Sequence, residues 1–370
     1  MAEPTSPIVY IYKELFDRIE ELKNIDKWLD QRPRLVVAGQ PDSAPRQLFE
    51  ALFGAAETFV ETEGWSAAAS FKREDVPGLG AIGAQGESEQ ALTYLRETDV
   101  VLLTILVDHR PTDVEQGLFD HLKRLGKVRL LVVTEPAADE AAPAPVSEID
   151  HEAWEEWVHE LRRVFGQGDV ACLPARGLHS ADLVAIARAI HRRDELDAKH
   201  KLTFTGMLAH QASRDALVGD VIGKLSQTAM WLGLSPLPFS DVAAITPLQV
   251  LLVTRVAACY GQRLTFKEAR SFVAASSAVG AVGFGFRELF RAITGSLEEA
   301  MLPLKLVVGA GLAWSGTQLV GRAARLYYQK GSHLTPQEAG RRARAELAAE
   351  GAPRHPFGGR SPETKENGTA

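Results

Sequence analysis

Gly39 closes an apolar run, Leu35-Val36-Val37-Ala38, of the kind that a fully buried parallel strand requires. A polar loop follows, and Leu48, Phe49, Leu52 and Phe53 then recur at helical spacing. Strand, glycine, loop and helix in that order make the frame in which backbone N–H groups cradle a phosphate, written G-x-x-x-x-G-K-[ST]. Counted from Gly39, the second glycine, the lysine and the hydroxyl residue should stand where the chain has Ala44, Pro45 and Arg46. The frame is kept and its chemistry is replaced.

The replacement has a size. The lysine charge is gone, and Pro45 has no N–H to offer. A hydrogen bond to a charged group contributes about 1.5–3 kcal/mol, so losing both costs roughly 3–6 kcal/mol. Arg46 brings a positive charge, but it stands where magnesium's hydroxyl ligand belongs. The simpler alternative is a βα unit of an α/β fold with an unrelated loop.

Two more segments carry chemistry in the same frame. Asp75-Val-Pro-Gly78 follows a short apolar strand over residues 67–71, and Asp75 is the one candidate ligand for a magnesium ion. An ordinary Pro-Gly turn explains it equally. Thr134-Glu135-Pro-Ala137 follows the apolar run of residues 128–133. An N-K-x-D segment at that place would read a guanine base through its aspartate. Here that carboxylate is absent and Glu135 is an acid at the lysine position, which predicts loss of base specificity.

Further strands are expected over residues 58–60, 99–107 and 170–173. Helices are expected from Asp113 through Leu125, over 151–165 and over 183–191. The order of these elements, with the altered loop, D-V-P-G-L-G, L-L-T-I-L-V-D and R-L-L-V-V-T-E-P, resembles an Era-type GTPase domain over residues 34–193. The resemblance implies an α/β P-loop GTPase-like fold with a mostly parallel sheet. It also implies a vestigial nucleotide site at Gly39, Ala44, Pro45, Arg46, Asp75, Gly78, Thr134 and Glu135.

Residues 194–214 read as a polar linker helix, after which the composition changes. Helices are expected over 215–234 and 242–260, the second ending at Gly261 where a C-cap belongs. Residues 271–286 and 306–320 are uncharged and rich in Gly, Ala and Ser. Pro236-Leu-Pro-Phe-Ser-Asp241, Thr246-Pro-Leu-Gln249, Ala258-Cys-Tyr-Gly261 and these two stretches resemble the YcjF-type helical domain of unknown function, over residues 215–330. That resemblance implies a bacterial protein and an association with the inner membrane, and no activity. A spanning helix needs about 20 apolar residues, and neither uncharged stretch has that many between charges, so close helix–helix packing is the better use of their small residues. Thr335-Pro336 opens a last helix bearing Arg341, Arg342 and Arg344, and a charged, Gly- and Pro-containing tail follows from residue 351.

The whole chain agrees with a folded protein of more than one domain: 370 residues, 45% hydrophobic and 24% charged. A net charge of −7 disfavours nucleic acid as a partner. Cys172 and Cys259 lie in apolar stretches and read as reduced core residues of a cytoplasmic protein. Met1 to Pro7 lacks the basic region of a signal peptide. Ile8, Ile11, Leu15, Ile19, Leu22, Ile25 and Leu29 make an amphipathic stripe over residues 8–29. Packing on its own domain is one use of that stripe and self-association the other. The ten histidines show no ligand spacing and no G-x-S-x-G is present, which removes the commoner metal and serine chemistries.

The reading is of a regulatory or scaffolding pseudo-GTPase with an unknown protein partner and no cofactor, GTP and Mg²⁺ entering only if nucleotide binding is retained. One alternative is a divergent GTPase with Asp75 on magnesium, Arg46 replacing the lysine charge and slow hydrolysis. The other is a membrane-anchored remodelling or interaction protein, held at an anionic inner face by its helical half.

Overall fold

The computed structural model describes residues 25, 27–39, 43–62, 65–70, 97–106, 111–134, 151–166, 169–172, 179–234, 240–278, 302–329 and 333–350. They divide into two compact units. One is built from described residues up to 220 together with 258–261, the other from 221–257 and from 262 onward. The stripe of residues 8–24 lies outside the described residues. Ile25, at its end, is buried.

In the first unit the chain runs β1 (Leu35–Gly39), α1 (Pro45–Phe53), β2 (Thr58–Thr62), β3 (Trp65–Ala69), β4 (Val100–Leu106), α2 (Asp113–Arg124), β5 (Val128–Thr134), α3 (His151–Phe165), β6 (Val170–Cys172), α4 (Ser180–His191) and α5 (Ala198–Met207). The strands form one sheet in the order β2-β3-β1-β4-β5-β6. β1, β4, β5 and β6 are parallel, whereas β3 runs antiparallel to both of its neighbours. The sheet is therefore mixed, with β3 alone running against the other five strands. The reversal comes between Thr62 and Trp65, which lie level with only two residues between them, whereas α1 had already returned the chain to the starting edge of β1. There Thr58 and Val36 both lie level with Ala69.

Alternation along the strands makes two cores. Val100, Leu102, Leu130 and Val132 face one way, against Leu48, Phe49 and Leu52 of α1 and Leu183, Ile186 and Ile190 of α4. Leu103, Ile105, Leu131 and Val133 face the other way, against Phe119 of α2 and Leu161 and Phe165 of α3. Thr112 and Glu115 close a capping box at the start of α2. Residues 194–214, expected as a linker helix, contain α5, whose Phe204 joins the first core together with Leu208. At the starting edge of β5 the buried Arg129 pairs with Asp169 at 2.7 Å and Glu195 at 3.5 Å, and Arg193 pairs with Asp169 at 2.5 Å.

The second unit holds the later turns of α6 (Gln211–Gly233), then α7 (Ser240–Cys259), α8 (Phe266–Ala278), α9 (Leu302–Gln329) and α10 (Pro336–Ala349). Gly261 follows α7 at φ 73°, the left-handed C-cap expected there. Thr265 opens α8, and its backbone N–H, donated to Glu268, holds that carboxyl below the usual carboxylate range. Thr335 and Pro336 open α10, the Thr335 hydroxyl accepting the Glu338 N–H. Tyr328 stacks on Phe272 and meets Tyr327 edge-on, and burial raises its hydroxyl above the usual phenol range. α10 packs on both α8 and α9. Among the described residues no helix is long and apolar enough to cross a membrane.

Close helix contact gives a direct test. A Cβ on Gly340 would lie 2.7 Å from the Ser276 carbonyl oxygen of α8, whereas one on Gly219 would meet nothing within 4 Å. Gly340→Ala is expected to destabilise the protein by about 1–3 kcal/mol through overpacking. Gly219→Ala should stabilise it by up to about 1 kcal/mol through helix propensity. Thermal unfolding of the two variants beside the parent checks the contrast, and equal effects would contradict the packing described.

Candidate functional site

The loop between β1 and α1 sits where an α/β sheet most often binds a ligand. From β1 the chain builds β2 and β3 on one side and β4, β5 and β6 on the other, so the switch point falls between β1 and β4, at their C-terminal ends. Gly39 and Thr104 are paired there. A Cβ on Gly39 would lie 2.1 Å from Thr104 Oγ1 and 2.3 Å from the Thr104 carbonyl oxygen. Glycine is thus required at position 39 by the approach of β4.

The loop is then tied down from inside by hydroxyl groups. Ser43 donates to the Thr104 carbonyl at 3.1 Å and shares a 2.7 Å hydrogen bond with Thr104 Oγ1. Thr104 Oγ1 also reaches the Ala38 carbonyl at 3.3 Å. Thr134, at the end of β5, donates to the Ser43 carbonyl at 3.0 Å and lies 3.3 Å from that of Ile105. All three hydroxyl residues are buried. Thr134, named from the sequence for its place in a base-reading segment, thus bonds to the residue just before the turn into α1. Ser43 and Thr104 were missed. The available signal was a single polar residue, Thr104, inside the apolar run of β4.

Ala44 and Pro45 shape the turn into α1. Ala44 adopts φ 54° and ψ 46°, the left-handed conformation, and no other described non-glycine residue has positive φ. This is the position at which the phosphate-loop pattern calls for glycine, and the backbone keeps that demand although the side chain is alanine. A non-glycine residue there stores roughly 1–2 kcal/mol of strain. Pro45 opens the helix at N1, where its fixed φ suits the first turn, and no side chain caps that end. Arg46 points along the helix: its Nε lies 2.8 Å from Glu50 Oε1 and its guanidinium 5.0 Å over the Phe59 ring. It does not turn toward the loop.

Asp75, Gly78 and Glu135 lie outside the described residues, as do residues 40–42 of the loop. The strand that leads toward Asp75 is described, however, and it leaves the sheet at the far edge. Ser70 donates its N–H to the Leu35 carbonyl at 3.1 Å and accepts the Leu35 N–H at 3.0 Å, at the opposite end of β1 from Gly39.

The described residues do not fit a nucleotide with magnesium. The Ser43 hydroxyl is bonded within the chain, the lysine is missing, and Arg46 is engaged with Glu50. No group of three or more His, Cys, Asp or Glu residues that could hold a metal occurs among the described residues.

Fold and site together define a mixed α/β sheet unit, followed in the chain by an all-helical unit. Residues 209–349 match the family model described as a domain of unknown function (DUF697), which covers less than half of the chain and does not extend to the sheet. No curated protein and no solved structure matches the chain. The match agrees with a C-terminal helical domain of unknown function, and it reaches through α10.

The strain at Ala44 predicts that Ala44→Gly stabilises the protein by about 1 kcal/mol, because glycine takes the left-handed conformation freely. Urea unfolding of this single variant checks it; destabilisation would show that the turn does not carry that conformation.

Proposed function

We propose that this chain is a regulatory or scaffold protein whose sheet unit is a pseudo-GTPase, a P-loop GTPase-like domain that binds GTP weakly or not at all. The observation that carries this reading is the loop at the switch point. It keeps a left-handed turn at the glycine position while its interior is bonded to its own strands through Ser43, Thr104 and Thr134. An energy of order 3–6 kcal/mol of phosphate binding has been given up, and part of the lost chemistry is replaced by internal hydrogen bonds that rigidify the unit. A rigid unit suits presentation of a surface to another protein.

Calorimetric titration with GTP and Mg²⁺ is expected to give no affinity tighter than the high micromolar range. A Kd below about 1 μM, equivalent to about −8 kcal/mol, would replace this reading with that of a divergent GTPase. The triple variant Ala44→Gly, Pro45→Lys, Arg46→Ser should gain affinity if the frame descends from a phosphate loop, and no gain would favour an unrelated βα unit.

A second reading concerns the helical unit. Arg341, Arg342 and Arg344 are exposed on α10, whose Ala339, Gly340 and Ala343 are buried, and this face supports peripheral binding to anionic lipid. Flotation with anionic liposomes should then be seen at low salt and lost at high salt, since screening removes exposed-charge attraction. Recovery entirely in the soluble fraction at low salt would dismiss it, and salt-resistant flotation would indicate insertion instead.

A further inference from the structure

Helices α6 and α9 lie together along a seam of small residues. A Cβ on Gly321 would stand 2.8 Å from Ile222 Cγ2, and a Cβ on Gly233 would stand 2.9 Å from the Ala310 Cα. The interval from Ile222 to Gly233 equals that from Ala310 to Gly321, so the two helices run antiparallel in constant register. Four residues in from Ile222 is Ser226, and four residues back from Gly321 is Thr317. Four-residue spacing keeps each on the same face as its reference residue. The register thus brings Ser226 and Thr317 to one level of the seam.

Both residues are fully buried, at 0% exposure. Neither Ser226 Oγ nor Thr317 Oγ1 meets a hydrogen-bond partner among the described residues. This differs from the other buried hydroxyls of the same unit: Thr254 bonds to the Val250 carbonyl at 2.9 Å and Ser276 to that of Phe272 at 2.8 Å. Gln249 of α7 reaches the same level of α9, its Nε2 lying 3.9 Å from where a side chain on Gly316 would begin. A hydroxyl carries one donor and two acceptor sites, and leaving it unmet in a buried place is costly. Two such groups at one level supply the two to four polar contacts that hold an internal water.

We propose that Ser226 and Thr317 together bind a single buried water molecule between α6 and α9, which fixes the register of this helix pair. The seam needs such a device. Gly233, Gly309, Ala310, Ala313 and Gly321 allow close approach but present few knobs against sliding. A water that both hydroxyls must reach favours only the register in which Ser226 and Thr317 face each other, as a buried polar residue fixes register in a coiled coil.

A double-mutant cycle on the full chain tests the proposal. Urea unfolding is followed by Trp fluorescence, Trp231 and Trp314 lying on the two helices themselves. Ser226→Ala and Thr317→Val are each expected to lower the midpoint by roughly 0.3–1 M. The double variant should lose no more than one single variant, because a bridge is lost only once. Thr317→Ser, which keeps the hydroxyl and loses a buried methyl, should keep the parent's count of internal waters although its midpoint falls. Oxygen-17 relaxation dispersion of the solvent should count one long-lived internal water fewer in the double variant than in the parent. Additive effects, midpoints that rise on removal of either hydroxyl, or an unchanged water count would each overturn the proposal.

Discussion

The approach of β1 to β4 at Gly39 and Thr104 sets the character of the sheet unit. Only a residue without a side chain lets the Thr104 hydroxyl and carbonyl come so near. Once they are there, Ser43 has two partners on Thr104. Thr134 then closes the turn from the next strand. Burial in a low-dielectric interior strengthens each bond and makes an unmet group expensive, so the three hydroxyls and the carbonyls they serve stand or fall together. A phosphate would have to displace these bonds without a lysine to compensate.

Strand direction sets where the chain leaves β3. α1 returns the chain to the starting edge of the sheet, so β2 climbs, and β3, only two residues after it, descends. The chain that continues toward Asp75 therefore leaves beside Leu35, while the loop at Gly39 lies at the other edge. The same starting edge is held by Arg129, Asp169, Arg193 and Glu195. Buried ion pairs of this kind add little net stability, but removal of one member leaves an uncompensated charge.

The helical unit solves its packing with small residues. Gly233, Gly321 and Gly340 each lie within contact of a facing helix, closely enough that a side chain would displace it. Contacts of this kind work in water and in lipid alike, so the Gly- and Ala-rich composition is accounted for by helix–helix approach among the described residues.

Much of the secondary structure was legible because its signals are local. Apolar runs marked β4 and β5, three-to-four spacing marked α3, and Gly261, Thr335 and Pro336 marked helix ends through their own backbone preferences. That positions 44 to 46 offer no lysine and, at Pro45, no N–H was likewise determined by residue type alone, since an absent lysine or N–H needs no fold to be absent. The tertiary structure decided the rest. It set the direction of β3, which depends on the two-residue connection from β2 and not on the strand's composition. It gave Ser43, Thr104 and Thr134 a common role, and it gathered Arg129, Asp169 and Arg193 from distant parts of the chain. It also placed Ser226 opposite Thr317. Such groupings join residues far apart in sequence, and nothing in either residue's neighbourhood encodes the partner, because the pairing energy exists only once strands and helices have brought the two groups within hydrogen-bond range.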